Sequence, residues 1–150
     1  MSRAGALAAL LIAAAPATAQ AAAPAWSFAV SGVGFGLMLT SPDQGYLLGL
    51  SCVRGARQVT VILPQIKPVG TDDRLTLSLD RDVFPFVVKR QSLKDGKVVE
   101  AAATTTPLLL KAIETAATLR GSYAGKAIGP YPAPPASMTR SFNAACGALI

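Results

Sequence analysis

Histidine is absent from all 150 residues, which removes the proton shuttle of Ser-His-Asp and Cys-His catalysis and the commonest nitrogen ligand for a metal. Cysteine is scarce as well. Cys52 and Cys146 are the only two, with no C-x-x-C pair to depress a thiol pKa, so neither a redox-active thiol nor a cysteine-rich zinc site is supported. No long apolar run exists: Ala6 to Ala15 is about ten residues, half of the roughly twenty that span a bilayer. Acidic residues number eight against fourteen lysines and arginines, and they are poorly placed for acid/base work. Asp72 and Asp73 are adjacent and point to opposite faces of an extended chain, while Asp80 and Asp82 end a strand beside Arg74 and Arg81, where solvated turn charges are ordinary. Ser92 near Lys94 has no buried pocket to lower a lysine pKa. The expectation is a protein that is not an enzyme and takes no cofactor or metal.

What is present first is an export signature. Arg3 precedes the apolar run, and Pro16 and small residues follow it, the order of a cleaved signal peptide. Ala17 and Ala19 fit a cut after Ala19, and Ala19 and Ala21 fit a cut after Ala21; the first is favoured. This divides the chain into a signal peptide at 1–19 and one domain at 20–150. That domain is long enough to enclose an apolar core and is expected to be periplasmic or secreted, with no transmembrane span after cleavage. No cysteine stands at the cut, which argues against a lipid anchor. Net charge is +6, of which Arg3 supplies one, and this favours anionic surfaces.

Period-two alternation dominates the mature chain. Trp26 to Val30 begins it, and Val33, Phe35, Leu37 and Leu39 then alternate with small or polar residues. The turn Ser41-Pro42-Asp43-Gln44-Gly45 leads into Leu48, Leu50 and Cys52 on one face, which makes a hairpin. Val59, Val61 and Leu63 continue until Pro64, and Leu75, Leu77 and Leu79 give the cleanest strand. Phe84 to Val88 and Lys97 to Ala101 are expected to pair through a hairpin turn at Lys94-Asp95-Gly96. Thr106-Pro107 then reads as the start of a helix of about thirteen residues ending at Gly121, followed by a strand from Ser122 to Ile128. Pro130, Pro132, Pro134 and Pro135 predict an extended connection. Phe142, Ala145, Cys146 and Leu149 make the buried stripe of a final helix.

Cys52 thus falls on the apolar face of a strand and Cys146 on that of the last helix. In an oxidising compartment a lone pair predicts a disulfide closing a 94-residue loop, with two free buried thiols as the alternative. The glycines of Gly32-Val33-Gly34-Phe35-Gly36 lack the endings of a dinucleotide or phosphate loop and read as close packing or a bend inside a strand. Lys89, Arg90, Lys94 and Lys97 crowd two neighbouring strands and their turn. They would project cations from one edge, either as a solubilising edge, as a docking patch for an anionic envelope polymer or lipid, or as a surface for an unknown protein partner. Nucleic acid is not expected, because no aromatic residues are interleaved with these cations.

The layout of Trp26, a strand ending in Leu50-Ser51-Cys52, further strands, a helix and Ser141-Phe142 through Ala145-Cys146 resembles small periplasmic proteins of unknown function. It is distantly similar to type VI secretion-associated accessory proteins and to the invasion-associated locus B family. Cys52 and Cys146 match the early-strand and terminal-helix cysteines of the secretion-accessory group, while the additional mid-chain cysteines of the invasion-associated group are absent. The resemblance implies a disulfide-bonded, non-catalytic envelope protein. The fold expected is α+β: an antiparallel sheet or small β-sandwich with two packed helices, the C-terminal one disulfide-linked to the sheet. The function expected is a non-enzymatic binding or accessory role at the cell envelope. The alternative is an inhibitor of a lysozyme or protease that plugs a cleft with the loop Pro130 to Pro135.

Overall fold

The computed structural model of the chain describes residues 22–70 and 73–147. The leader at 1–19, both cleavage positions, Asp72 and Leu149 lie outside the described residues.

Alternation builds nine strands: β1 (Ala25–Ser31), β2 (Gly34–Ser41), β3 (Gly45–Val53), β4 (Gln58–Leu63), β5 (Arg74–Leu79), β6 (Asp82–Val88), β7 (Val99–Thr104), β8 (Thr118–Tyr123) and β9 (Lys126–Pro132). They form one antiparallel sheet in the order β1-β2-β3-β4-β7-β6-β5-β8-β9. Because side chains alternate across a strand, the registers line the apolar residues up on a single face. Leu37 lies opposite Leu50, Leu50 opposite Val61, Val61 opposite Ala101 and Ala101 opposite Val88. Farther along, Phe86 faces Leu75, which faces Tyr123. All of these belong to one buried cluster.

The sheet curls until its outer strands meet. The indole Nε1 of Trp26, near the start of β1, donates to the carbonyl oxygen of Pro132 at the end of β9, 2.8 Å away. Contact between the start of one edge strand and the end of the other is the stagger that tilted strands produce in a barrel. Among the described residues no backbone ladder joins β1 to β9, so the seam is held by side chains. The sandwich alternative is therefore replaced by one continuous, barrel-like sheet.

Three helices, not two, accompany it: α1 (Arg90–Asp95), α2 (Pro107–Thr115) and α3 (Ala136–Gly147). α2 starts where its cap residues predict, since the Thr106 hydroxyl accepts the Leu109 amide at 3.1 Å and Pro107 occupies the first turn. It ends at Thr115, earlier than expected. The Asp80 carboxylate captures the amides of Ala117 and Thr118, at 3.0 and 2.9 Å, and turns the chain into β8. Gly121 is consequently a strand residue, placed where an added Cβ would come within 2.8 Å of the Thr76 carbonyl oxygen. The chain doubles back at Ala124 and Gly125, both at positive φ, so residues 122–128 form a hairpin rather than one strand. Pro130 and Pro132 sit in edge strand β9, where a missing N–H breaks no ladder bond, and the extended connection shrinks to Ala133–Pro135.

The registers sort the connections onto two ends of the sheet. At one end lie the β1–β2, β3–β4 and β5–β6 turns, together with the strand ends joined by α2 and the end of β9 that leads into α3. Cys146 of α3 is bonded to Cys52 near the end of β3, with a Cα–Cα distance of 5.9 Å, so α2 and α3 lie across this end and cap it. Asn143 Nδ2 of α3 donates to the Leu110 carbonyl of α2 at 2.8 Å, and Phe142 is fully buried beneath. The opposite end carries the β2–β3 and β8–β9 turns and α1.

Candidate docking surface

The four cations singled out from the sequence gather around α1, at the end of the sheet opposite α2 and α3. The hairpin expected there is a helix instead. Gly96 adopts the left-handed conformation, with φ of 62°, but as the C-cap of α1: its amide bonds to the Ser92 carbonyl. Gln91 Nε2 donates to the Asp95 carboxylate at 2.9 Å, one helical turn along, and Lys94 stands in the last turn, where a cation meets the free carbonyls. The edge expectation is corrected as well. β6 and β7 are interior strands with β5 and β4 outside them, so these cations guard no free sheet edge.

Ser92 fixes α1 against the sheet. Its buried hydroxyl donates to the Val98 carbonyl and accepts the Glu100 amide, both at 2.8 Å. That occupies the hydroxyl in holding structure together. Lys89 precedes the helix in extended conformation, and its ammonium lies 3.4 Å from Glu100 Oε2 in a half-exposed ion pair worth at most about 1 kcal/mol. Arg90, Lys94 and Lys97 are exposed and make no ion pair among the described residues. The acids nearby are Asp73, Asp95 and Glu100, so the patch is basic but not uniformly so.

Beside the patch the sheet opens. β6 and β7 share only two register pairs, Val87 with Ala102 and Val88 with Ala101, and the ladder stops before Pro85, which has no amide to give. The gap is an open groove of about 550 Å³, with Lys89 and Arg90 at one end and Gln58 and Thr104 at the other. The residues that line this groove include no acid, although Glu100 pairs with Lys89 at its end.

Elsewhere the ionisable groups do structural work. Burial raises the Tyr46 phenol above its usual range, and the Glu100 carboxylate adds to the effect; the ring covers Gly49, where a Cβ would collide with the Tyr46 hydroxyl. The amides of Ala117 and Thr118 hold Asp80 below the usual carboxylate range. Among the described residues no three acidic, cysteine or histidine side chains gather as metal ligands. No described helix is long and apolar enough to cross a membrane.

A second surface was not singled out from the sequence. Val30, Val33 and Val53 are 65%, 69% and 50% exposed and stand together at the capped end beside Arg54 and Arg57. The signal was available in the apolar residues flanking the turns at Gly32 and Gly55, but alternation alone assigns such valines to a strand face. No family model, no curated protein and no solved structure matches the chain.

Proposed function

We propose that this is an exported, non-enzymatic binding or accessory protein of the bacterial cell envelope that docks an anionic envelope component through Lys89, Arg90, Lys94 and Lys97. The observation carrying this reading is the cluster itself: four cations within nine residues, three of them exposed and without an ion pair among the described residues, on and flanking a helix anchored by a buried serine. The disulfide between Cys52 and Cys146 supports export, since such bonds persist in oxidising compartments. The order of the two cysteines also supports kinship with the secretion-accessory proteins. A patch of this kind binds by charge and is weakened by salt.

Co-sedimentation of the purified, oxidised protein with isolated cell-wall sacculi tests the reading. The wild type pellets at low ionic strength and is released by high salt, while the variant carrying Lys89→Gln, Arg90→Gln, Lys94→Gln and Lys97→Gln stays in the supernatant. Equal pelleting of wild type and variant would refute the assignment to this patch. Stoichiometric complex formation with a lysozyme or protease would establish the inhibitor reading in its place.

A further inference from the structure

We propose that the β1–β2 and β3–β4 turns form a membrane-docking tip, in which Val30, Val33 and Val53 enter the headgroup boundary of an anionic lipid surface while Arg54 and Arg57 pair with its phosphates. The proposal rests on the envelope location argued above but uses a different surface, at the opposite end of the sheet from α1.

Three observations converge on it. The first is exposure: these are three of the seven large apolar side chains left open to solvent among the described residues, Val33 in the β1–β2 turn and Val30 and Val53 at the strand ends that lead into the two turns. Gly34, the first residue of β2, lies directly opposite Val53 in the register, and its missing Cβ lets the strands approach where a side chain would strike the Cys52 carbonyl oxygen. The second is charge. Neither β1 with β2, from Ala25 to Ser41, nor β3 with β4, from Gly45 to Leu63, contains an acidic residue, so both arginines face outward from a corner with no negative charge of its own. The third is preorganisation. The Arg54 amide donates to the Val33 carbonyl at 2.9 Å, and the Arg54 guanidinium lies 5.9 Å from the centre of the Phe35 ring. The two turns are therefore fastened to one another, and insertion requires no ordering of a loose loop.

Charge complementarity selects the occupant. An anionic polymer would use the arginines alone and leave the valines in water, whereas a lipid headgroup layer over acyl chains offers phosphate and hydrocarbon at the spacing of one residue. Next to the tip the outer face of β1–β4 continues as an open, apolar-lined groove of about 320 Å³ over Gly36 and Met38, which extends the surface available to lipid. Disulfide-linked α3 stiffens the same end from beneath, because Cys52 immediately precedes Val53.

Flotation with vesicles of phosphatidylglycerol and phosphatidylethanolamine, compared with vesicles of phosphatidylcholine alone, tests the tip. The wild type floats with the anionic vesicles only. Val30→Asp with Val33→Asp lowers partitioning by about tenfold or more, and Arg54→Gln and Arg57→Gln each lower it by about fivefold, the effect of about 1 kcal/mol per surface cation. The fourfold α1 variant floats like the wild type, which separates this proposal from the one above. A second readout needs no loss of function: with Trp26 the chain's one tryptophan, Val33→Trp adds an indole at the tip whose emission shifts to the blue and is quenched by brominated lipid on binding. Flotation that depends on the α1 cations and not on the tip would overturn the proposal and leave the α1 reading standing. Absence of flotation, or an unshifted Val33→Trp emission with bound vesicles, would overturn it as well.

Discussion

Both ends of the curled sheet are basic, but their cations stand in different company. At the capped end Arg54 and Arg57 flank exposed valines on two turns tied together by a backbone hydrogen bond, above a helix bonded to the sheet through sulfur. At the α1 end the cations sit on and around a six-residue helix beside Asp95 and Glu100, and that helix is fastened by the buried Ser92 hydroxyl and by Leu93 packed against the core. Positive charge alone therefore does not distinguish a docking surface; what differs is whether apolar side chains share the exposure and how firmly the backbone beneath is held.

The largest way to break this contrast is to cut the sulfur bridge. Reduction, or Cys146→Ser with Cys52→Ser, lowers unfolding free energy by about 4–5 kcal/mol in the chain-entropy account of a 94-residue loop, read as a shift in the urea midpoint. Amide exchange should accelerate first in α3 and the β3–β4 turn, leaving α1 protected; uniform acceleration would show that the two ends are not separately anchored. A smaller effect sharpens the other side. Ser92→Ala leaves the Val98 carbonyl and the Glu100 amide without their partner and costs about 1–3 kcal/mol, with loss of protection confined to α1 and the start of β7. The smallest effect is set by pH. The folded-state pKa of Asp80 is lowered by the amides of Ala117 and Thr118, so its contribution is complete above the ordinary carboxylate pKa of about 3.9 and disappears as pH falls through the lower folded value. The urea midpoints of wild type and Asp80→Asn should differ at neutral pH and converge in strong acid. A constant difference across that range would remove the carboxylate from the turn.

Most strands were legible because one face of the sheet is buried and the other wet. Leu75, Leu77 and Leu79 are all essentially inaccessible while Arg74, Thr76 and Ser78 between them are not; in β3 Leu48, Leu50 and Cys52 keep the buried face, but Leu47 and Gly49 on the other face are buried as well. The cysteine pairing followed from the same alternation combined with the helical stripe of Phe142 and Cys146. The departures have local causes. Gly96 carries the positive φ that its sequence context demands, yet a glycine in that state closes a helix as readily as a hairpin, and the choice was made by Ser92 reaching the Val98 carbonyl. Gly121 looked like a helix stop because nothing nearby in sequence reveals Asp80 waiting to capture Ala117 and Thr118, or Thr76 passing too close for a side chain. Pro130 and Pro132 concealed β9, since two prolines fit there because it is an edge strand, and strand order is not written in alternation. Of the two candidate surfaces, the α1 cations were visible as a run, whereas the exposed valines gather only once the two turns are brought together.

Everything assigned to the capped end presupposes that α3 is held there by sulfur. Non-reducing peptide mapping by mass spectrometry of the folded protein, purified without reductant, measures this directly. The account predicts one linked pair of peptides containing Cys52 and Cys146 and no thiol that alkylates before reduction; free alkylation of both cysteines in the folded chain would contradict it.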